Sequence, residues 1–253
     1  EGKDGWTRPP FKFTEENGRY YSRGTTDDKG PALTALWAAS IAKRMGIRTN
    51  VEFIWELEEE IGSPNFQEFV QKIKGETRAA SIVVSDTIWI ARGKPATSLG
   101  LRGLLATLVR LRTGQKDVHS GLCGGAARNP ITELCAVVAS CVDAKTGDIK
   151  IPGFDKTWTR PSDQELSDYE NSGFTVEGFK SAHKLHKLRY DDPRSVTSRI
   201  WGMPTCEVHG ISGGYQGEGV KTIVPPFAEA KVSFRLVPPQ NPHEVFELFK
   251  KHV

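Results

Sequence analysis

The sequence has 253 residues, of which 38% are hydrophobic and 26% are charged, and its formal net charge is +3. The 34 lysines and arginines are mixed with 31 aspartates and glutamates, which argues against a nucleic-acid partner because no concentrated basic surface is encoded. No apolar run reaches the length of a membrane span, so the composition predicts a globular protein with no membrane role, built from one large domain or two ordinary ones.

The first region, from about residue 20 to 90, alternates helix and strand signals. Apolar residues recur at helical spacing from Pro31 to Met45, with Gly46 suited to the end of the helix, and Val51 to Leu57 alternate as a strand does. A second helix is predicted to open at Ser63-Pro64, before a short β-branched strand over 81–85. This order of elements predicts the α/β class, with a sheet and covering helices.

The pattern changes after Gly93-Lys94-Pro95, which predicts a domain boundary near residue 96 and hence domains 1–96 and 97–253. The second region predicts an α+β fold with a polar insert at about 146–203, whose structure the sequence does not assign. Its predicted elements are a strand over 101–111, a helix from 130 to about 144, two further strands that end with 227–236, and a helix that opens at Asn241.

Three groups of acidic residues lie at the ends of predicted elements in the first region. They are Asp27-Asp28 before the first helix, Glu58-Glu59-Glu60 after a strand, and Asp86 after the next strand. Ligands of open α/β sheets bind at the carboxyl ends of strands, and carboxylates gathered there favour a pair of divalent cations. Each group alone is more common as a capped turn, an exposed charge run or an N-cap, so the residues leave both interpretations open.

The histidines are distributed unevenly. All six lie beyond residue 118, so the first region offers only carboxylates as metal ligands. Zinc sites usually include nitrogen or sulfur ligands. Either the ion is a hard one, such as manganese or magnesium, or histidine ligands lie outside this sequence.

Four short motifs follow one another along the chain: Tyr21 to Pro31, Glu59 to Ser63, Val84 to Asp86, and Asp117 to Gly121. In order and spacing they resemble metallopeptidase family 20, which includes aminoacylases, carboxypeptidase G, succinyl-diaminopimelate desuccinylase and the carnosine and cytosolic non-specific dipeptidases. The dipeptidase branch is the most similar. The segments that carry this likeness are Trp6, Pro9-Pro10-Phe11, Gly217-Glu218-Gly219, Lys221 to Pro225 and Arg235 to Pro238.

The resemblance implies a partial catalytic domain that holds two divalent metal ions, with zinc first and manganese second, followed by a lid and dimerisation domain. It implies that Asp27 bridges the ions, that Glu60 and Asp86 each bind one, and that Glu59 is the general base. The family pattern alone selects the first of the two adjacent aspartates as the bridge. His119 is implied to reach the active site of the partner in a homodimer and to stabilise the oxyanion there.

Two more residues match positions that hold the terminal carboxylate of the substrate, Thr222 and Arg235. The alternation from 228 to 236 is compatible with this role, because it places Arg235 opposite the core face, together with Ser233 and Lys231. Without the resemblance, Arg235 is an ordinary solvated arginine and His119 an ordinary loop histidine.

The sequence also departs from the family pattern. Ser22 stands where the family usually has glycine. The first metal-binding histidine of the family, in a His-x-Asp motif, is expected upstream of residue 1, and the last beyond Val253; His252 does not lie in that motif. We therefore expect this chain to hold the middle of the enzyme, without the C-terminal end of its second domain, and to be inactive by itself.

The function expected is a hydrolase that cleaves the amide bond of dipeptides through a metal-bridged hydroxide. One alternative is an N-acyl-amino-acid deacylase of the same family, and another is a non-catalytic dimerisation or binding module. The substrate is expected to be a small peptide or an N-acyl amino acid. Four cysteines without a C-x-x-C motif, and a start unlike a signal peptide, predict a cytoplasmic protein.

Overall fold

The computed structural model describes residues 5–86, 89–90 and 93–253. The chain divides into two compact units, Glu1–Trp89 and Ile90–Val253. The division lies close to the boundary expected near residue 96, and each unit is described by itself below.

The first unit contains a small hairpin and two helices. Its elements are β1 (Thr14–Glu16), β2 (Arg19–Tyr21), α1 (Lys29–Arg44), a 3-10 turn (Glu59–Ile61) and α2 (Phe66–Ile73). Strands β1 and β2 pair in antiparallel fashion. Gly46, with φ of 76°, follows the end of α1, as glycine commonly does beyond a helix C-terminus. The two predicted helices are therefore present.

The two strands predicted in this unit are not formed. The segments 51–57 and 81–85 form no strand and make no strand pairing within the described residues. Their apolar side chains remain exposed, for example 94% of Leu57 and 87% of Val83. Alternation and β-branching favour extended backbone, but a strand exists only where a neighbouring segment supplies hydrogen-bond partners.

The second unit contains five strands and six helices among the described residues. The strands are β3 (Gly103–Arg112), β4 (Val118–His119), β5 (Thr205–Gly213), β6 (Ile223–Val224) and β7 (Phe227–Leu236). The helices are α3 (Ser120–Cys123), α4 (Pro130–Cys141), α5 (Asp163–Asn171), α6 (Val176–His183), α7 (Pro193–Thr197) and α8 (Pro242–His252). No helix in the described part of the chain is long and apolar enough to cross a membrane.

The main sheet has the strand order β3-β7-β5 and is antiparallel throughout. One face of β7 is buried, as its alternation predicts, by the residues Ala228, Ala230, Val232, Phe234 and Leu236. Helices α4 and α8 contribute Leu134, Val245 and Phe249 to the same core. Phe234 lies at its centre, with ring centroids 6.0 Å from Phe154 and 5.1 Å from Phe249. Burying one such side chain stabilises the fold by about 1.5–3 kcal/mol.

A second, two-stranded ribbon prolongs one end of this sheet. Arg112 pairs with Phe227 at the end of β3, and beyond it the N–H groups of Thr113 and Gly114 both donate to the carbonyl of Pro226. Strands β4 and β6 then pair, with His119 opposite Ile223. The ribbon therefore carries His119 outward from the sheet.

The polar insert forms α5, α6, α7 and a π-helical turn, Ser198–Gly202, around a small core of its own. That core is built on Phe174, Val176 and Val196 and is separate from the main one. Ser162 begins α5 with a complete capping box, because its side chain and that of Glu165 bond to each other's backbone N–H groups.

Candidate functional site

The loop before α1 is constrained by a close backbone approach. A Cβ atom at Gly30 would lie in hard contact with the carbonyl oxygen of Thr25, so only glycine fits there without a shift of the loop. The loop ends with Asp27 and Asp28, directly before the first residue of α1, Lys29. The peptide bond between the two aspartates is cis. The first acidic group is therefore placed by backbone packing.

The three consecutive glutamates differ in their surroundings. Both carboxylate oxygens of Glu58 accept hydrogen bonds from Nδ2 of Asn65, at 3.1 and 2.9 Å, and its carbonyl oxygen accepts from the N–H of Ser63 at 3.0 Å. Glu59 and Glu60 begin the 3-10 turn and are exposed. No sequence pattern singles out Asn65, because its pairing with Glu58 depends on the turn that brings the start of α2 back toward Glu58.

Glu59 lies in the negative field of all three acidic groups. Partial loss of hydration and the charges of Asp86, Glu60, Asp27 and Glu56 raise the pKa of its carboxyl above the ordinary value. The contributions of Asp86 and Asp27 show that acidic groups distant in the sequence lie within electrostatic range of Glu59.

Oxygen atoms in this cluster lack protein partners. Burial and the charges of Asp86 and Asp27 raise the pKa of Asp28. Within the described residues, Oδ1 of Asp28 and Oε1 of Glu56 are buried without a hydrogen-bond partner. Carboxylate oxygens short of partners are the donors that hard divalent cations prefer, so the donor set fits such an ion in its chemistry. No group of three or more His, Cys, Asp or Glu side chains in the described part of the chain is arranged to hold one.

In the second unit, His119 and Thr222 are neighbours. The N–H of Ser120 donates to the carbonyl of Thr222 at 3.0 Å, directly beside the pairing of β4 with β6. Nδ1 of His119 accepts a hydrogen bond from the N–H of Gly121 at 2.9 Å. Both candidate side chains are exposed. The ribbon thus presents a histidine and a threonine together.

Arg235 lies on the exposed face of the main sheet, paired with Leu104 on one side and Thr205 on the other. Its guanidinium makes no side-chain hydrogen bond or ion pair to the residues that the structure describes, and its exposed side chain is accessible from this face. Arg102 shares this face, because it lies two positions before Leu104. Burial and the positive charge of Arg235 lower the pKa of Arg102, while its Nη1 donates to the carbonyls of Arg199 and Met203, at 3.3 and 3.2 Å.

Sequence reasoning did not identify Arg102, which lies between Leu101 and Gly103 and outside any motif. The available signal was the alternation of the predicted strand, which places Arg102 on the same face as Leu104. The observed register, in which Leu104 pairs with Arg235, then brings Arg102 to the face that carries Arg235.

The candidate substrate residues of this unit do not converge within one chain. Arg235 is eight positions along β7 from Phe227, which corresponds to about 26 Å of extended strand. His119 and Thr222 lie beyond the Phe227 end, on the ribbon that prolongs the sheet. A dipeptide spans only about 7 Å between its ends. One dipeptide therefore cannot contact Arg235 and His119 of the same chain.

Comparisons with known proteins give consistent matches. Residues 99–253 match the family model described as a peptidase dimerisation domain of M20 type. The chain is 33% identical to Beta-Ala-His dipeptidase of Rattus norvegicus over 99% of its length and 34% identical to a Cys-Gly metallodipeptidase of Schizosaccharomyces pombe over 99%, covering 52% and 54% of those proteins. It therefore spans about half the length of the curated relatives that it matches.

A solved structure is also similar over the whole chain. The M20 family metallo-carboxypeptidase from Sulfolobus solfataricus superposes with a TM-score of 0.86 at 36% sequence identity, covering 100% of this chain and 57% of that one. The mixed α/β fold described above is thus the fold of known proteins with related sequences.

Proposed function

The chain belongs to the M20 metallopeptidase family, and on this basis we propose that the protein is a metal-dependent hydrolase that cleaves the amide bond of dipeptides. Two of the relatives compared above carry dipeptidase names. The single observation that carries the proposal is the gathering of Glu59 with Asp86, Glu60 and Asp27 in one negative field.

We assign the acidic residues two roles. Asp27, Glu60 and Asp86 hold two divalent ions, with zinc as the leading candidate and manganese second; family membership itself implies a divalent metal without fixing which. When bound, such ions supply Lewis-acid polarisation of the amide carbonyl. Glu59 is the general base: its carboxylate takes a proton from the attacking water and passes it to the leaving nitrogen. The involvement of Glu58 with Asn65 supports the choice of Glu59.

The second unit supplies groups that bind the substrate. Arg235 is suited to hold its terminal carboxylate, because a guanidinium can make two parallel hydrogen bonds to that group. Thr222 is assigned to the same carboxylate, and His119 donates to the oxygen on which negative charge develops.

A homodimer follows from the separation of these residues along the sheet. If Arg235, His119 and Thr222 all act on one dipeptide, two copies of the chain must contribute, because about 26 Å of β7 keeps them apart within a single copy. The match of residues 99–253 to a peptidase dimerisation domain supports this arrangement. The second unit is therefore proposed to form the dimer, and the first to be part of the catalytic domain.

Two alternatives remain with specific tests. An N-acyl-amino-acid deacylase of the same family would share every acidic residue and differ in substrate. A non-catalytic dimerisation module is favoured by one observation, that the described residues hold no group arranged around a metal. The four cysteines are free, which supports the proposed cytosolic location.

The test uses the intact protein that contains this chain and measures its metal content by plasma mass spectrometry, together with hydrolysis of Ala-His and of N-acetyl-alanine. We expect about two equivalents of zinc or manganese and preferential turnover of the dipeptide. Asp86→Asn should lower both the metal content and the rate. Asp163→Asn, at the fully exposed start of α5, is the matched control and should change neither. Preferential turnover of N-acetyl-alanine would favour the deacylase, and absence of both metal and turnover would favour the module.

A further inference from the structure

The ring of His119 is held by a bond from its own turn. His119 has extended backbone geometry, with φ of −69° and ψ of 123°, and its Nδ1 accepts from the N–H of Gly121 at 2.9 Å. The flanking backbone is fixed as well, because His119 pairs with Ile223 and the N–H of Ser120 bonds to Thr222. Both the backbone and the ring of His119 are therefore constrained.

This bond determines where the imidazole carries its proton. A backbone N–H can only donate, so Nδ1 of His119 must present its lone pair to Gly121. A neutral imidazole has one N–H, which then lies on Nε2, at the far side of the ring. The turn thus selects a tautomer that offers a hydrogen-bond donor away from its own backbone.

Glycine at position 121 is required by the ring and not by the backbone. A Cβ atom there would lie 2.9 Å from Cε1 and 3.0 Å from Nδ1 of His119, closer than a side chain tolerates without moving. The φ angle of Gly121 does not fall in the left-handed region, so its backbone conformation is open to any residue. Among the described residues outside its own helix backbone, the imidazole is the group that a Cβ at 121 would displace.

We infer that Gly121 is a positioning residue for His119: its N–H fixes the Nε2–H tautomer, and its missing Cβ lets the ring lie against the turn with Nε2–H directed to the substrate oxyanion. This inference rests on the proposed function, because the oxyanion belongs to amide hydrolysis. If His119 only stabilised its own turn, the turn would need the acceptor Nδ1 to bond to Gly121 but would not need a donor at Nε2.

The first arm of the test is independent of activity. The full 253-residue chain, labelled with 15N at histidine, is examined by NMR at a pH where the imidazoles are neutral. We expect a non-protonated Nδ1 and a protonated Nε2 for His119, whereas the exposed His186 should show a mixture of tautomers. Gly121→Ala should move His119 toward that mixture, and Gly100→Ala, whose added Cβ meets nothing within 4 Å, should not. A tautomer mixture in the wild type, or no change in Gly121→Ala, would overturn the inference.

The second arm separates the donor from the cap. In His119→Asn, the amide oxygen can still accept from Gly121, but no donor stands where Nε2–H was. We expect unchanged thermal stability and a fall in kcat of about 100-fold or more, as for the loss of one oxyanion donor. Gly121→Ala should lower kcat by up to about 100-fold with KM little changed. The reason is that a displaced His119 would stabilise the transition state less, while the binding of the substrate before reaction does not depend on it.

The two arms also distinguish two failures. Kinetics are measured on the intact protein that contains this chain, and absence of hydrolysis by its wild-type form contradicts the proposed function. The NMR result on the 253-residue chain still decides whether Gly121 fixes the His119 tautomer. An active protein in which His119→Asn retains full kcat contradicts the positioning role alone.

Discussion

Asn65 donates from one nitrogen atom to both carboxylate oxygens of Glu58, at 3.1 and 2.9 Å. Asn65 is also the residue that precedes the first turn of α2, so the pair ties the glutamate run to the start of that helix. The next residue, Glu59, instead faces the charges of Asp86, Glu60 and Asp27. Adjacent carboxylates of identical chemistry thus have different surroundings, one structural and one suited to catalysis.

Glu59→Gln and Glu58→Gln should therefore have different effects. We expect Glu59→Gln to reduce kcat for Ala-His by at least about 100-fold while bound metal is retained, because the amide cannot accept the proton. Glu58→Gln should leave kcat within about twofold, since its side-chain oxygen still accepts from Asn65. Steady-state kinetics with parallel metal analysis measures both, and equal loss in the two variants would refute the assignment of the base.

Gly30→Ala should destabilise the first unit. The added methyl group would collide with the carbonyl of Thr25, and relief requires a shift of the loop that carries Asp27. Overpacking of this kind costs about 1–3 kcal/mol. Thermal unfolding should show the loss. Gly75→Ala, where a Cβ meets no atom of the described residues within 4 Å, is the control that should unfold like the wild type.

Mixing two inactive variants should restore activity. His119→Ala and Arg235→Ala are each expected to be nearly inactive. In a mixed dimer, one of the two sites receives Arg235 from one copy and His119 from the other, both intact. Random exchange of equal amounts should therefore recover about a quarter of the wild-type rate.

The control for this experiment is a double variant that carries both changes on one chain, mixed with the wild type. In a dimer of one wild-type and one double-variant chain, each site lacks either Arg235 or His119. Activity in this mixture therefore comes from wild-type homodimers. Failure of the single variants to complement, despite demonstrated subunit exchange, would show that both residues act within one chain or that one of them does not act.

The cysteines should divide into two reactivity classes. Cys135 is exposed and Cys123 is partly exposed, whereas 2% of Cys141 and 5% of Cys206 is accessible. Burial raises the pKa of Cys206 to about 12, and burial also raises the pKa of Cys141, so neither forms the reactive thiolate near neutral pH. Alkylation followed by peptide mass spectrometry should modify Cys135 first and the buried pair only in denaturant. Early modification of Cys206 would show that the core opens readily.

The same thiol predicts a loss of stability in alkali. The pKa of Cys206 is raised in the folded state, to about 12, while the unfolded chain releases the proton from about pH 8.5. The stability that this thiol contributes is therefore fully present below about pH 8.5 and is lost as the pH rises toward 12. Denaturant unfolding at several pH values should show a flatter decline for Cys206→Ala than for the wild type, and identical slopes would contradict the prediction.

The sequence predicted elements best where periodicity and packing coincide. The core face of β7 was confirmed, with Phe234 buried and Arg235 exposed, because a sheet with helices on one face enforces that pattern. The expectation that Ser233 shares the accessible face with Arg235 was wrong: Ser233 is buried, and its hydroxyl bonds to Nε2 of His209. The prediction of strands over 51–57 and 81–85 was wrong, because a local sequence pattern does not indicate whether another segment will pair with these residues. Strands β4 and β6 escaped prediction, since two residues each are too short to show any period.

The candidate site stays a prediction from the sequence. Acidic residues at the ends of elements predict a cluster, and the raised pKa of Glu59 is compatible with it. The roles of Glu60, Thr222 and the other assigned residues stay predictions. Partnerships such as Glu58 with Asn65 depend on the exact course of a turn, which no local pattern in the sequence encodes.

The separate small core of the insert makes the second unit a pair of cooperative blocks. Residues around Phe174 bury far less apolar surface than those around Phe234, so the insert should open at a lower free energy and exchange its amide hydrogens sooner than β7. Arg102 is one of the ties between the blocks, through the carbonyls of Arg199 and Met203. The acceptors of these two hydrogen bonds are backbone carbonyls, which every residue has. Side chains in the insert can therefore change without loss of the hydrogen bonds that attach the insert to Arg102.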